Sequence, residues 1–556
     1  MFRTIRTIAA RSGIVPALIL WATLTGCSSS GSGEPAAETA RVQGNWDFVY
    51  AADGTDRNIG PELLEIEQDG EILTVIRYPV DGPPTTGSGT ASGDTVSFSD
   101  DRLSLEGTLT DGVLSGTWID GTGDGTWSAV RIPDGEPVVL INLGDSLTNG
   151  VQSAAVNEFT QINGFTQILA EQMDAAAFTI WRNPLLSVAG ARIDPEHIPF
   201  NLGVDGATTR DVLHLRTGDG NAKLDALLAP IPELAGGPVS QLEAAEYLAG
   251  LHPGKRKVVT LWIGNNDVLG AVIGGTGTRL SEDAILAFLS DTETGRDLPA
   301  VAANLTEIVD RLAALPDTEV LVANLPDVTQ IGFLLTAGDL ERLAVFPDAT
   351  VTALAPGEAL GFGPFLNPAD PSLSVARALS SNNAVLNGTI LATRAVSESF
   401  VLTPEEAAPI RERVAALNAL VAELAATRAN VHPVDVNGLL ARVLAGEITV
   451  DGNHLSRTWG GGVFSLDGVH LSHTGYALAA NEFVEALNSA MPNLGVPELD
   501  AAPVWERDPY RDRDGDGYVY GPEFPPVISP NLLPLADCDD TDPGVWPTYI
   551  SGMPCP

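Results

Sequence analysis

From Val138 onward, short runs rich in apolar residues alternate with stretches of helical periodicity, and this alternation constrains the fold more than any other feature of the chain. Val138 to Leu143, Val258 to Ile263, Val320 to Ala323 and Val431 to Val436 read as strands buried on both faces. Val301 to Leu315 and His473 to about Asn488 read as helices. Thr403-Pro404-Glu405-Glu406 is a capping box with proline in the first turn, and it opens a helix running to about Arg428. Strands that alternate with helices imply a parallel sheet covered on both faces, with any active site at the carboxyl ends of the strands.

Polar clusters fall where such a site is expected. Gly144-Asp145-Ser146 follows the first strand, where a serine flanked by glycine can present its hydroxyl and its own N–H. Gly264-Asn265-Asn266-Asp267 follows the second, where an asparagine amide can donate to a developing oxyanion. Asp467-Gly468-Val469-His470 has the spacing for a carboxylate to orient an imidazole that reaches a serine hydroxyl. Taken singly, Ser146 reads as a turn residue, Asn266 as a loop cap and His470 as a surface histidine. Asp145 and Asp267 are expected to hold their loops through backbone hydrogen bonds. His473 is expected to cap its helix or face solvent, and Trp262 to pack.

Taken together, these motifs resemble the blocks of the SGNH, or GDSL, hydrolase superfamily. Block I is Gly144-Asp145-Ser146-Leu147, block II runs from Asn201 to Thr208, block III is Gly264-Asn265-Asn266-Asp267, and block V is Asp467-Gly468-Val469-His470. They stand in the family's order within residues 137–494. The resemblance implies a three-layer αβα, flavodoxin-like parallel sheet. It implies Ser146 as nucleophile, His470 as general base and then acid, and Asp467 as the group that orients His470. It implies an oxyanion hole made by the N–H groups of Ser146 and Gly206 with the side chain of Asn266. The activity expected is that of a serine esterase or lipase acting on carboxylic esters through an acyl-Ser146 intermediate, with no cofactor for catalysis. Acetyl-carbohydrate esterases and thioesterases share these blocks. Residues 332–400 exceed what a minimal member needs and read either as an apolar cap over an acyl cleft or as a surface insertion.

Other units flank this region. Residues 41–133 carry alternating runs broken by Asp69-Gly70, Asp81-Gly82, Asp111-Gly112 and Asp120-Gly121, which signals hairpins of a small antiparallel barrel or sandwich, either a spacer or a ligand-binding module. Residues 1–26 read as an export signal, with Arg3, Arg6 and Arg11 ahead of an apolar run too short to span a bilayer. Leu24-Thr25-Gly26-Cys27 resembles a bacterial lipobox, which makes Cys27 the expected lipid-modified terminus, residues 27–40 a tether, and the outer membrane or surface of a Gram-negative cell the expected location. In the acidic tail, residues 495–556, Asp512, Asp514, Asp516, Tyr518 and Glu523 fall at ligand positions of a twelve-residue calcium loop, expected to hold a structural Ca²⁺. Cys538 and Cys555 suit a disulfide in an oxidising compartment. A net charge of −42 repels phosphate and excludes nucleic acid as a partner. The barrel-like unit and acidic tail also suit a second class of function, a calcium-dependent surface-binding protein with an inactive hydrolase domain.

Overall fold

The computed structural model describes residues 40–52, 58–121, 123–132, 136–273, 281–336, 359–361, 401–458, 460–513, 519–520, 536–537 and 541. The export signal, Cys27, most of the insertion, the calcium-loop residues Asp514, Asp516, Tyr518 and Glu523, and both Cys538 and Cys555 lie outside them. Among the described residues no helix is long and apolar enough to cross a membrane.

The alternating runs near the N-terminus form a closed antiparallel barrel rather than a sandwich. Its strands are β1 (Gly44–Ala52), β2 (Asn58–Asp69), β3 (Ile72–Tyr78), β4 (Thr85–Ser92), β5 (Thr95–Ser99), β6 (Ser104–Thr110), β7 (Val113–Ile119) and β8 (Asp124–Arg131). Each pairs with its sequence neighbour, and β1 closes the ring against β8. Asp111 and Gly112 both take positive φ, 51° and 80°, the turn whose twist suits a two-residue hairpin. Trp46, Phe48, Leu64, Ile66, Leu105, Leu114 and Trp127 fill the interior. One interior position is ionic. Arg77 reaches Glu62 at 3.2 Å and Asp100 at 2.9 Å, and Glu62 also accepts the Val80 N–H at 3.0 Å. Burial pushes the Glu62 carboxyl up despite the guanidinium beside it.

The larger unit is built on a five-stranded parallel sheet of β9 (Val138–Gly144), β10 (Thr179–Ile180), β11 (Arg256–Trp262), β12 (Thr318–Ala323) and β13 (Val431–Val434), in the order β10-β9-β11-β12-β13. All its pairs are parallel, the order of a flavodoxin-like doubly wound sheet. Every residue of β9 is buried, as expected for a central strand with helices on both faces. Helices Phe165–Ala176 (α2, following the short α1, Ser146–Asn149), α8 (Val436–Leu444) and α9 (His473–Ala490) cover one face, while α4 (Gln241–Leu251), α6 (Leu298–Ala313) and α7 (Pro404–Thr427) cover the other. The remaining helices named below are α3 (Thr209–His214) and α5 (Asn265–Ile273). The sheet changes winding direction beside β9, where a ligand crevice belongs.

The two units meet through a built seam. The Tyr78 ring stacks on His252 at 5.7 Å, and its hydroxyl donates to Glu65 at 2.6 Å. Lys255 pairs with Glu65 and lies over the Tyr78 ring. Burial, with Lys257 and Lys255 nearby, lowers the His252 imidazole to about 4, which keeps it neutral in this apolar seam. The Ile198 N–H donates to the Val80 carbonyl at 2.9 Å. The chain after Leu494, assigned by composition to the acidic tail, does not separate from the hydrolase unit at that point. Val496 joins the main core, and Trp505 and Tyr510 join the core beneath the Asp467–His470 loop.

Replacing Arg77 with methionine should leave Glu62 buried without its cation and weaken the barrel by about 3–5 kcal/mol. The loss should shrink as pH falls, because protonation of Glu62 removes the uncompensated charge. Amide exchange in β2 and β3 measures both effects.

Candidate active site

The site is assembled at the carboxyl ends of β9 and β11. At the end of β9 the chain passes through Gly144, where a Cβ would stand 2.1 Å from the Thr148 hydroxyl and 2.4 Å from the Trp262 carbonyl, so no side chain fits. It then turns into α1 with Asp145 as N-cap and Ser146 as the first helical residue. One Asp145 oxygen accepts the Leu147 N–H at 3.0 Å, and the other accepts the Asn265 amide at 3.0 Å. Asp145 thus ties the serine turn to the block III loop. Burial raises its carboxyl to about 6.

Ser146, His470 and Asp467 are brought together. His470 Nε2 lies 2.8 Å from Ser146 Oγ, and Nδ1 lies 2.6 Å from Asp467 Oδ2. With Nδ1–H donating to the carboxylate, Nε2 is free to accept the serine proton. Asp467 also accepts the N–H groups of Val469 and His470, each at 2.9 Å, and that of Ala154 at 2.7 Å. Burial alone would raise the Asp467 carboxyl, but the His470 ring and these donors outweigh it and hold it low. Burial alone would lower His470, but Asp467, with Asp205 and Asp145 further off, outweighs it and lifts the imidazole above 6.5.

The block II segment runs beside β9. Leu202 N–H donates to the Asn142 carbonyl and Val204 N–H to the Gly144 carbonyl. Asn201 locks this segment to α1 through the Thr148 carbonyl at 2.9 Å. Gly206 then takes φ +78°, a left-handed conformation that side chains disfavour, with open space where a Cβ would be. Asn266 donates to the Ala207 carbonyl at 3.0 Å, which brings the block III amide to the Gly206 turn and leaves a second amide hydrogen for a ligand. Asp267 accepts both the N–H and hydroxyl of Thr209 at the start of α3. Burial raises it to about 7.

Several other expectations have a definite outcome. His473 is half-buried rather than fully exposed: its ring stands edge-on to Tyr510 at 5.7 Å, and burial lowers its basicity. Trp262 packs on Phe165. Of the insertion, residues 332–336 and 359–361 are described, and the stem 332–336 is fastened to the Asp467–His470 loop. Phe333 N–H donates to the Gly468 carbonyl at 2.7 Å, and a Cβ on Gly468 would strike the Phe333 nitrogen at 2.4 Å. An apolar cavity of about 50 Å³ lies beneath, lined by Leu147, Trp262, Ile331, Leu439, Phe464 and Val469, among others. Asp512, at the head of the calcium-like run, has its N–H on the Gly460 carbonyl at 3.0 Å.

Sequence reasoning missed Ala154 and Asp205. Ala154 acts through its backbone, which leaves no trace in residue type. Asp205 accepts the Asn149 amide at 2.8 Å and pairs with Lys223, linking the Gly206 turn to the end of α1. Its place beside Gly206 in block II was the one available signal.

No curated protein sequence matches the chain. Among solved structures, an extracellular lipase from Streptomyces rimosus is 17% identical over 64% of this chain and 100% of its own, with a TM-score of 0.30. Phospholipase A1 from Streptomyces albidoflavus NA297 is 14% identical over 64% of this chain and 99% of its own, with a TM-score of 0.29. A family two carbohydrate esterase from Clostridium thermocellum is 10% identical over 82% of this chain and 94% of its own, with a TM-score of 0.27. The family model of GDSL-like lipases and acylhydrolases matches residues 140–483, more than half of the sequence, and the chain belongs to that family.

Proposed function

We propose that the protein is a serine ester hydrolase that cleaves carboxylic esters of apolar acyl groups through an acyl-Ser146 intermediate. The observation that carries this reading is the Ser146–His470–Asp467 arrangement, with contacts of 2.8 and 2.6 Å. Ser146 Oγ attacks the ester carbonyl as its proton passes to His470 Nε2, and Asp467 stabilises the imidazolium that forms. The carbonyl oxygen gains negative charge and is met by the Ser146 and Gly206 N–H groups and the Asn266 amide. His470 returns the proton to the leaving alkoxide. Water then enters, gives a proton to His470 as its oxygen bonds the acyl carbon, and the bond to Ser146 Oγ breaks as His470 returns that proton to Oγ, which releases the acid. Leu147 and Val469, the neighbours of Ser146 and His470, line a small apolar cavity, which supports an apolar group on that side of the bond. In this reading Cys27 anchors the enzyme at a membrane surface, and the lipobox-like Leu24-Thr25-Gly26-Cys27 supports it.

A p-nitrophenyl ester series from acetyl to long acyl tests the reaction. Ser146→Ala should reduce turnover to background and abolish labelling by a fluorophosphonate. Wild-type protein that neither hydrolyses any ester nor takes the label would sink the reading. Asn266→Ala should lower kcat by about 100- to 1,000-fold, with a much smaller effect on KM. Because His470 acts as the neutral base and its pKa is raised, kcat/KM should fall as pH drops through a midpoint above 6.5, and a limb below that value would contradict the local electrostatics. Cys27→Ser should move the protein from the membrane fraction to the soluble one, as cell fractionation would register.

A further inference from the structure

The segment after α9 lies outside the family-matched residues, yet it packs against the catalytic loop from two sides. Asp508 is fully buried. One of its oxygens accepts the Thr474 N–H at 2.8 Å and the Thr474 hydroxyl at 2.6 Å, and the other accepts the Tyr510 N–H at 3.0 Å. Thr474 sits in the first turn of α9, whose N-cap, Ser472, is two residues after His470. A carboxylate there meets a free backbone donor and the positive end of the helix together. Trp505 packs so closely on Gly462 that a Cβ at that glycine would stand 2.5 Å from the ring, and Gly462 in turn accepts the Ser472 hydroxyl at 2.8 Å. Arg511 closes the segment on itself by donating to the Trp505 carbonyl at 2.7 Å.

The other side concerns Asp467. Tyr510 is fully buried, and its phenol lies against Ser153. Ser153 and Ala154 both adopt left-handed backbone, with φ of 50° and 59°. Two successive side-chain-bearing residues in that region store strain that persists only when their surroundings fix them. The turn is what aims the Ala154 N–H at Asp467, and the Ser153 hydroxyl accepts the Leu466 N–H at 3.0 Å.

We propose that residues Trp505 to Arg511 form a strap that positions His470 and Asp467 for the ester hydrolysis proposed above, with Asp508 and Tyr510 as its two positioning residues. Asp508 fixes the helix start that follows His470. Tyr510 buttresses the strained turn that donates to Asp467. The inference rests on the proposed reaction only for its kinetic readout. The charged and titratable groups around the pair are Asp145 beside Ser146, Asp205 with Lys223 from the block II turn, Tyr476 and His473 from α9, and Tyr510 and Asp508 from the strap.

The test uses the full-length protein with Tyr510→Phe, Asp508→Ala and Asp508→Asn. Tyr510→Phe keeps the ring and removes the hydroxyl. A looser Ala154 donor leaves more charge on Asp467, so His470 should titrate at higher pH, read from the far-downfield Nδ1 proton by NMR, and the acidic limb of kcat should move with it. Asp508→Ala should lower kcat by about 10- to 100-fold with KM for a short soluble ester nearly unchanged, and Asp508→Asn should recover part of the loss. Variants that melt earlier but keep the wild-type kcat and His470 titration would overturn the strap. If Asp508→Ala does not fold, Tyr510→Phe decides alone. Wild-type protein inactive on every ester would overturn the reaction, while the His470 titration would still decide the strap.

Discussion

A single buried carboxylate organises the larger unit of this protein. Asp467 is 4% exposed, and a carboxylate so far from water is tolerated only when donors meet its oxygens. Its donors come from the His470 ring, from the backbone of its own loop, and from Ala154, which is 313 positions away in sequence. Meeting that one charge brings the turn after α1 to the loop before α9, and the serine arrives with it. The same donors keep Asp467 ionised, and an ionised Asp467 keeps the His470 ring in the tautomer that can take a proton from Ser146. Strain at Ser153 and Ala154 is the local cost of this arrangement.

Much of this was legible in the sequence because strand burial and hairpin turns are local chemistry. The apolar run Val138 to Leu143 could hardly be anything but a central strand, and Asp111-Gly112 could hardly be anything but a tight turn. The blocks fell at strand ends, which the alternation alone located. What stayed hidden depends on long-range contact. Alternation of β1 and β8 reads the same in a barrel as in a sandwich, and only the pairing of Trp46 with Arg131 distinguishes them. Asp508 and Tyr510 sit in an Asp- and Pro-rich stretch whose composition resembles a solvated tail, and nothing in an aspartate's identity says that it is buried. His473 looked like a surface cap for the same reason, since the ring that covers it comes from Tyr510.

The seam between barrel and hydrolase sits behind the site. Ile198, held by the Val80 carbonyl, lies three residues before Asn201, and Asn201 locks the block II segment to α1. Phe200, between them, packs on the same His252 that Tyr78 stacks against. The barrel therefore forms part of the support on which the Gly206 turn is built.

Closure of the barrel also sets how the molecule would bear tension. The chain enters beside Gly44 and leaves after Arg131 at the same end, because β1 and β8 are antiparallel and adjacent. A pull between the two ends would load their hydrogen bonds one rung at a time, like a zipper, starting at the Ile132 N–H on the Asn45 carbonyl. Ahead of that first rung stands a brace, since Gln68 binds both the Val42 N–H and the Ala40 carbonyl at 2.9 Å. Force on the chain before Ala40 would meet the Ala40 N–H on the Gly93 carbonyl and that glutamine first, and the rungs between β1 and β8 only after them.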